Sequence, residues 1–252
     1  MSRIARTQSP TGLYHVLLRG VNRQSIFEDD SDRRAFLGML AGAKEASGLS
    51  VFCYCLMGNH VHLLMRAGDE PLGESMKRIA VRYVLYFNAK YERSGHLFQD
   101  RFKSEPIKDE GHLLAAVRYI CQNPVKAKMC KAAQDYPWSS CRELLGIGKG
   151  CTDAEEVLGM FDSPSSSRAQ AFQEFLEEHA GDGFIDDDSG RKTDSELKAL
   201  MRDVSGCRDA PSFQALGKGS RDAFLGQFRQ AGFSLRQISR VTGVPLGVVR
   251  NK

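Results

Sequence analysis

The chain is short of several things. No Cys-x-x-Cys pair occurs among its 7 scattered cysteines, an odd number. This argues against a disulfide framework and a structural zinc site of the usual spacing, and reduced thiols in a cytosolic protein are expected. No apolar run approaches the ~18 residues of a membrane span. The opening Met-Ser-Arg-Ile-Ala-Arg-Thr carries charge without the apolar stretch of a secretory signal. The expected location is therefore the cytoplasm, with no membrane partner. With 42% hydrophobic and 26% charged residues over 252 positions, the composition is that of a folded globular protein, neither disordered nor fibrous. That length suits one large domain or two small ones.

The net charge of +4 is unevenly spread. Residues 1–148 carry +6, residues 149–190 carry −9 and residues 191–252 carry +7. Two basic segments flank an acidic one. Basic segments suit a polyanionic partner, although solvated surface faces account for such charge equally well.

Periodicity gives a coarse order of elements. Residues 14–19 read as a strand ended by Gly20, and residues 32–46 as a helix capped by Asp30-Ser-Asp32 and stopped by Gly48. Val51 to Met57 reads as a second strand, Gly58-Asn59 as a hairpin turn and His60 to Arg66 as the return strand. A helix from Leu72 to about Tyr91 follows, then an extended piece over Leu97 to Ile107. A further helix runs from Asp109 to Gln122, with Asn123-Pro124 as its stop. The order β-α-β-β-α-β-α predicts an α+β, ferredoxin-like fold: one antiparallel sheet with helices on one face and an extra helix. Turn residues near Gly146–Gly150 place the end of this domain at 148. Residues 149–191 are expected to form an acidic connector with a short helix over 168–179, and residues 192–252 a helical region.

Two stretches can carry chemistry. In Gly58-Asn-His-Val-His-Leu-Leu64, strand alternation puts His60 and His62 on one face and Val61 and Leu63 on the other. Two such imidazoles can share one metal ion and leave positions open for water or phosphate. Two exposed histidines on a solvated strand are the plainer reading. Leu64 at the next alternate position argues against a histidine-triad hydrolase. In Val117-Arg-Tyr-Ile-Cys-Gln-Asn-Pro-Val125, Tyr119 and Asn123 are one helical turn apart. Tyr119 is either a nucleophile, helped by a metal at its target phosphate, or a core aromatic. Asn123 is either a ligand or a helix cap.

Residues 14–145 resemble the Y1 tyrosine transposases, the single-tyrosine branch of the HUH endonucleases. The resemblance rests on Tyr14-His-Val with Arg19-Gly-Val-Asn-Arg23, Met57-Gly-Asn-His-Val-His-Leu-Leu64, Gly95-His-Leu-Phe-Gln-Asp-Arg-Phe-Lys-Ser104 and Arg118-Tyr-Ile-Cys-Gln-Asn-Pro-Val-Lys-Ala127, in that order. The Tyr-x-x-x-Asn form and the long extension beyond it are similar to the REP-associated branch. The chain departs from the family in having Cys121-Gln122 where His-Leu is frequent. The resemblance implies that His60 and His62 bind Mg²⁺ or Mn²⁺, with Asn123 as third ligand. It implies that Tyr119 attacks a phosphodiester of single-stranded or hairpin DNA, leaving a 5′-phosphotyrosine. Arg19, Arg23, Arg101 and Lys103 would hold phosphates, and Phe98 and Phe102 either stack on bases or fill the core. Insertion-sequence relatives work as dimers, whereas the REP-associated branch need not. An active insertion-sequence transposase and a catalytically silent DNA-binding regulator are the alternative readings. The first would be marked by mobile-element ends, the REP-associated form by palindromes beside a lone gene.

Finally, residues 233–250 read as a helix-turn-helix, or as a small helical packing module. Ser234 caps its first helix, Gly243 makes the turn, and Val244, Val248 and Val249 anchor the second. Arg236 and Arg240 are its candidate DNA contacts.

Overall fold

A computed structural model describes residues 7–161, 167–178, 184 and 194–250. It divides into two compact units, 1–186 and 187–252.

In the first unit, β1 (Leu13–Arg19), β2 (Ser50–Leu56), β3 (His60–Arg66) and β4 (Lys103–Pro106) form one sheet in the order β2-β3-β1-β4, every pairing antiparallel. With α1 (Asp30–Ser47) and α2 (Leu72–Lys90) this is the expected ferredoxin-like α+β arrangement. Both faces of the sheet are covered, which is why β1, β2 and β3 are apolar almost throughout. Val16, Leu18, Val61, Leu63 and Met65 point into a core shared with Phe36 and Leu40 of α1 and Met76, Ile79 and Tyr83 of α2. Leu13, Cys55 and Leu64 point the other way, toward Val117 and Ile120 of α3 (Glu110–Lys126). A bulge between Val51 and Cys53 turns both Phe52 and Cys53 toward that second core.

Local chemistry sets the ends of the elements. Asp29, not the Asp30–Asp32 run as a whole, caps α1. Its carboxylate accepts from the Ser31 and Asp32 amides, and Asp32 answers in a capping box. Gly48 closes the helix at φ 63°, a conformation that suits glycine. The expected stop at Asn123-Pro124 is not observed. The helix α3 runs on to Lys126 with Pro124 inside it. Proline forfeits only its own bond to the preceding turn, and the Ala127 and Met129 amides donate to the Asn123 and Pro124 carbonyls beyond it. The extended piece over 97–107 contributes strand pairing only at Lys103–Pro106, plus one bridge between Gly20 and Phe98.

Short helices α4 (Cys141–Leu144), α5 (Ala154–Leu158) and α6 (Arg168–Glu177) complete the first unit and pack on the α3 side. Gln122 of α3 donates to the Leu176 carbonyl at 2.7 Å, and the Arg118 guanidinium lies 3.9 Å from the centre of the Phe175 ring. The Asp-rich part of the connector, apart from Phe184, lies outside the described residues.

The second unit contains α7 (Asp194–Ser205), α8 (Ala210–Gln214), α9 (Lys218–Gln230), α10 (Leu235–Thr242) and α11 (Leu246–Arg250). Leu197, Phe213, Leu225, Phe228, Ile238 and Val249 are its centre. Ser234 caps α10 in a box with Gln237, and Gly243 at φ 69° makes the turn into α11. Val244 and Val249 are buried, while Val248 is exposed and anchors nothing.

Candidate active site

The strand β3 lies inside the sheet, between β2 and β1, and its His60, His62 and Leu64 face α3. Cα register puts Arg19 opposite His60 and Leu17 opposite His62. The ring centres of His60 and His62 are 4.9 Å apart. His60 is half-buried, with Nδ1 2.6 Å from Asn59 Oδ1. His62 is fully buried, and its Nδ1 lies 2.9 Å from Nε2 of His15 on β1.

From the other side, α3 presents Tyr119 and Asn123. Asn123 Nδ2 is 3.3 Å from His62 Nε2. A half-turn of the amide exchanges its oxygen for its nitrogen at that position, so Asn123 can offer a carbonyl oxygen there. The Tyr119 ring centre lies 5.5 Å from that of His62 and 5.8 Å from that of His15. Tyr119 is only 5% exposed. Phe184, from the acidic connector, covers it: its ring centre is 5.0 Å from Tyr119 and 5.4 Å from His15. Strand alternation and helical spacing thus bring His60, His62, Tyr119 and Asn123 to one place.

Burial is the main reason that both inner histidines are neutral. It lowers His15 from 6.5 to about 3, helped by the charge of His112. It also holds His62 well below its ordinary value, with His15, His60 and Arg19 adding to the effect. A neutral imidazole has one N–H. When the His62 N–H sits on Nδ1 and donates to His15, the Nε2 lone pair is left facing Asn123.

A pH dependence follows with a definite sign. In the unfolded chain both rings titrate near ~6.5. In the folded protein they resist protonation, so as pH falls below about 6.5 the unfolded chain binds the extra protons. Metal-free protein should lose about 1.4 kcal/mol of stability per pH unit per histidine as pH falls below about 6.5. Urea unfolding in EDTA at pH 7, 6 and 5 measures this. Constant stability over that interval would contradict neutral burial.

The donor set, two imidazoles and an amide oxygen, fits a divalent ion of intermediate hardness that keeps open positions. Among the described residues, no group of three His, Cys, Asp or Glu side chains is arranged to hold an ion. The ion would therefore depend on Asn123 and on oxygen from water or phosphate.

The other sequence candidates are dispersed. Arg19 and Lys103 share the sheet face of His60 and His62, through register with His60 and Leu17 respectively. Arg23 is exposed in a short turn at φ 60°, and Arg101 is exposed in the loop before β4. Phe98 and Phe102 are buried in the α1–α2 core. In the second unit Arg236 is exposed on α10, whereas Arg240 forms a two-pronged ion pair with Asp194, both contacts 2.7 Å. The structure adds His15, Phe184 and Lys126 to the side chains around the site, the Lys126 Nζ lying 5.1 Å from the Tyr119 ring centre. His15 had a signal, its alternation with Leu13 and Leu17, but its partner depends on strand register.

Residues 9–123, which hold all four convergent side chains, match the family described as "Transposase IS200 like". This stretch is similar to the IS200-like transposases. A solved structure of a REP-associated tyrosine transposase bound to a REP hairpin is similar at TM-score 0.50 and 20% identity. The likeness covers 59% of this chain and 89% of that one, and at this identity it is a likeness of fold. A search of curated proteins gives no match. Among the described residues no helix is long and apolar enough to cross a membrane.

Proposed function

We propose that the chain is a metal-dependent single-stranded DNA endonuclease and strand transferase acting on palindromic hairpins. The convergence of Tyr119, His60, His62 and Asn123 carries this reading, and the four lie within residues 9–123, the stretch similar to a transposase family. The DNA-bound relative, whose partner is a REP hairpin, supports hairpin DNA as substrate. That all four residues are retained favours catalysis over a silent DNA-binding role.

Tyr119 gives its hydroxyl proton to water, and its oxygen bonds to phosphorus. The bond from phosphorus to O3′ breaks, and O3′ keeps the electron pair and takes a proton from water. The product is a 5′-phosphotyrosine and a free 3′-hydroxyl. Another 3′-hydroxyl can reverse the step without ATP, because the ester is conserved. A tyrosine hydroxyl with pKa near ~10 is a weak nucleophile alone. Mg²⁺ or Mn²⁺ held by His60, His62 and Asn123 supplies positive charge that makes the phosphate more electrophilic. Arg19 and Lys103 on the same sheet face, with Arg23 and Arg101, supply phosphate contacts. A gel assay for covalent attachment to single-stranded oligonucleotides from the gene's own flanks tests the reading. Hydrolytic nicking with no adduct would refute it.

His15 is a positioning residue in this account. Its Nε2 accepts from His62 Nδ1, which fixes the His62 tautomer and ring angle. Losing such a partner typically costs about 10–100-fold in metal affinity. His15→Phe should weaken Mn²⁺ binding by about that factor, as read by electron paramagnetic resonance, and His15→Gln, which keeps an acceptor, should recover part of it. Unchanged Mn²⁺ affinity in His15→Phe would contradict the role.

We assign nuclease chemistry to residues 1–148, a connector to 149–191 and auxiliary DNA binding to 192–252. Deleting residues 192–252 should weaken hairpin binding by about tenfold and flatten its salt dependence, with adduct formation retained at saturating DNA. Arg236→Ala should account for more of that loss than Arg240→Ala, since Arg240 is held by Asp194. Filter binding across a salt series decides. Identical affinity and slope would leave this region as a packing module.

A further inference from the structure

We infer that a cavity beside Tyr119 is a subsite for the nucleotides immediately 3′ of the scissile phosphate, the strand that stays bonded to the enzyme. The inference rests on the proposed nucleophile. The cavity measures about 480 Å³ and lies among α3, the segment 131–134 and α6, with Tyr119 in its wall. That volume is within the roughly 300–1,000 Å³ of small-ligand sites.

Its position on α3 sets which part of the substrate it receives. At roughly 100° per residue, Asn123 falls about 40° to one side of Tyr119. On the other side fall Lys126 at about 20°, Gln122 at about 60° and Arg118 at about 100°. Those three line the cavity with Tyr119, while His60, His62 and Asn123 do not. Tyr119 thus stands between two flanks, one carrying the histidines and the other the cavity. In the displacement, O3′ leaves in line, away from the tyrosine oxygen, and O5′ stays on phosphorus. The retained nucleotide must therefore lie beside Tyr119, and the cavity is the open flank.

The lining has the chemistry of a nucleotide site. Arg118 is paired with Glu178 at 2.9 Å, and Glu177 adds one carboxylate from α6. Lys126 and Lys131 are exposed and form no ion pair among the described residues. They can meet the phosphates that follow the scissile one. Gln134 adds an amide that can donate to and accept from a base edge.

The test uses the full chain, in EDTA to prevent cleavage, and fluorescent oligonucleotides carrying the flanking palindrome. The cleavage position is first mapped from the wild-type adduct. One oligonucleotide ends at the scissile phosphate, and others extend one, two or three nucleotides beyond it. Two added nucleotides should tighten wild-type binding about tenfold and steepen its salt slope by about one to two. Lys126→Ala/Lys131→Ala should bind the shortest oligonucleotide like wild type and lose the gain on extension. A photoreactive thymidine at the first added position should crosslink to the peptides of residues 118–134. No gain in wild type, an equal gain in the double variant, or crosslinking elsewhere would each overturn the subsite. An adduct on Tyr119 with no gain would defeat the subsite alone, whereas an adduct on another residue would defeat the proposed mechanism with it.

Discussion

Tyr119→Phe should abolish covalent attachment to DNA, a loss of at least about 10⁴-fold in adduct formation. The substitution removes one oxygen and keeps the ring that packs against His62, Lys126 and Phe184. Folding and hairpin affinity should therefore stay close to wild type, even with Mn²⁺ present. No other tyrosine is equivalently placed. Tyr83 is fully buried in the α1–α2 core, on the far face of the sheet. Tyr136 is spent on the Leu56 carbonyl at 2.7 Å. Tyr14 and Tyr54 also pack on the α1–α2 side, and Tyr86 and Tyr91 accompany them from α2 and the residue after it. Adduct formed by Tyr119→Phe at a measurable fraction of the wild-type rate would remove Tyr119 from the mechanism.

Replacing both histidines should separate chemistry from binding. His60→Ala/His62→Ala should lower the cleavage rate by about 10³-fold, the order expected when positive charge at a reacting phosphate is lost. Hairpin affinity should change by no more than about threefold, because phosphate contacts elsewhere supply it. Single-turnover rates and equilibrium binding on the same oligonucleotide give the two numbers. Normal nicking by the double variant would end the metal-site assignment. His62 is fully buried, so a lowered melting temperature is expected as well; His60→Gln, at a half-buried position, gives the cleavage comparison without an emptied core.

The elements with strong local signals were legible in the sequence. The strand from His60 to Arg66 and the helix from Leu72 follow directly from alternation, the Gly58-Asn59 turn and helical periodicity. Tyr119 and Asn123 share a helix face because they are four apart, which needed no coordinates. What escaped depends on tertiary pairing. Asn123-Pro124 predicts an end of α3 at Gln122, but near a C-terminus proline costs a single hydrogen bond, and the helix continues to Lys126. That extra turn is what brings Lys126 to Tyr119. Over 97–101 the chain bends where an extended piece was expected, and only Lys103–Pro106 pair with β1 as a strand. The role of His15 required the register between β1 and β3. Phe184 stands in an Asp-rich stretch whose composition says nothing of where one aromatic docks.

The central claim is that the Tyr119 oxygen becomes bonded to DNA. Wild-type protein incubated with its flanking hairpin and Mn²⁺, then digested with protease and nuclease, should yield one modified peptide. Mass spectrometry should place a 5′-linked nucleotide on the tyrosine of the Arg118-Tyr-Ile-Cys-Gln-Asn peptide. A nucleotide on any other residue, or cleaved DNA with no modified peptide, would contradict the account.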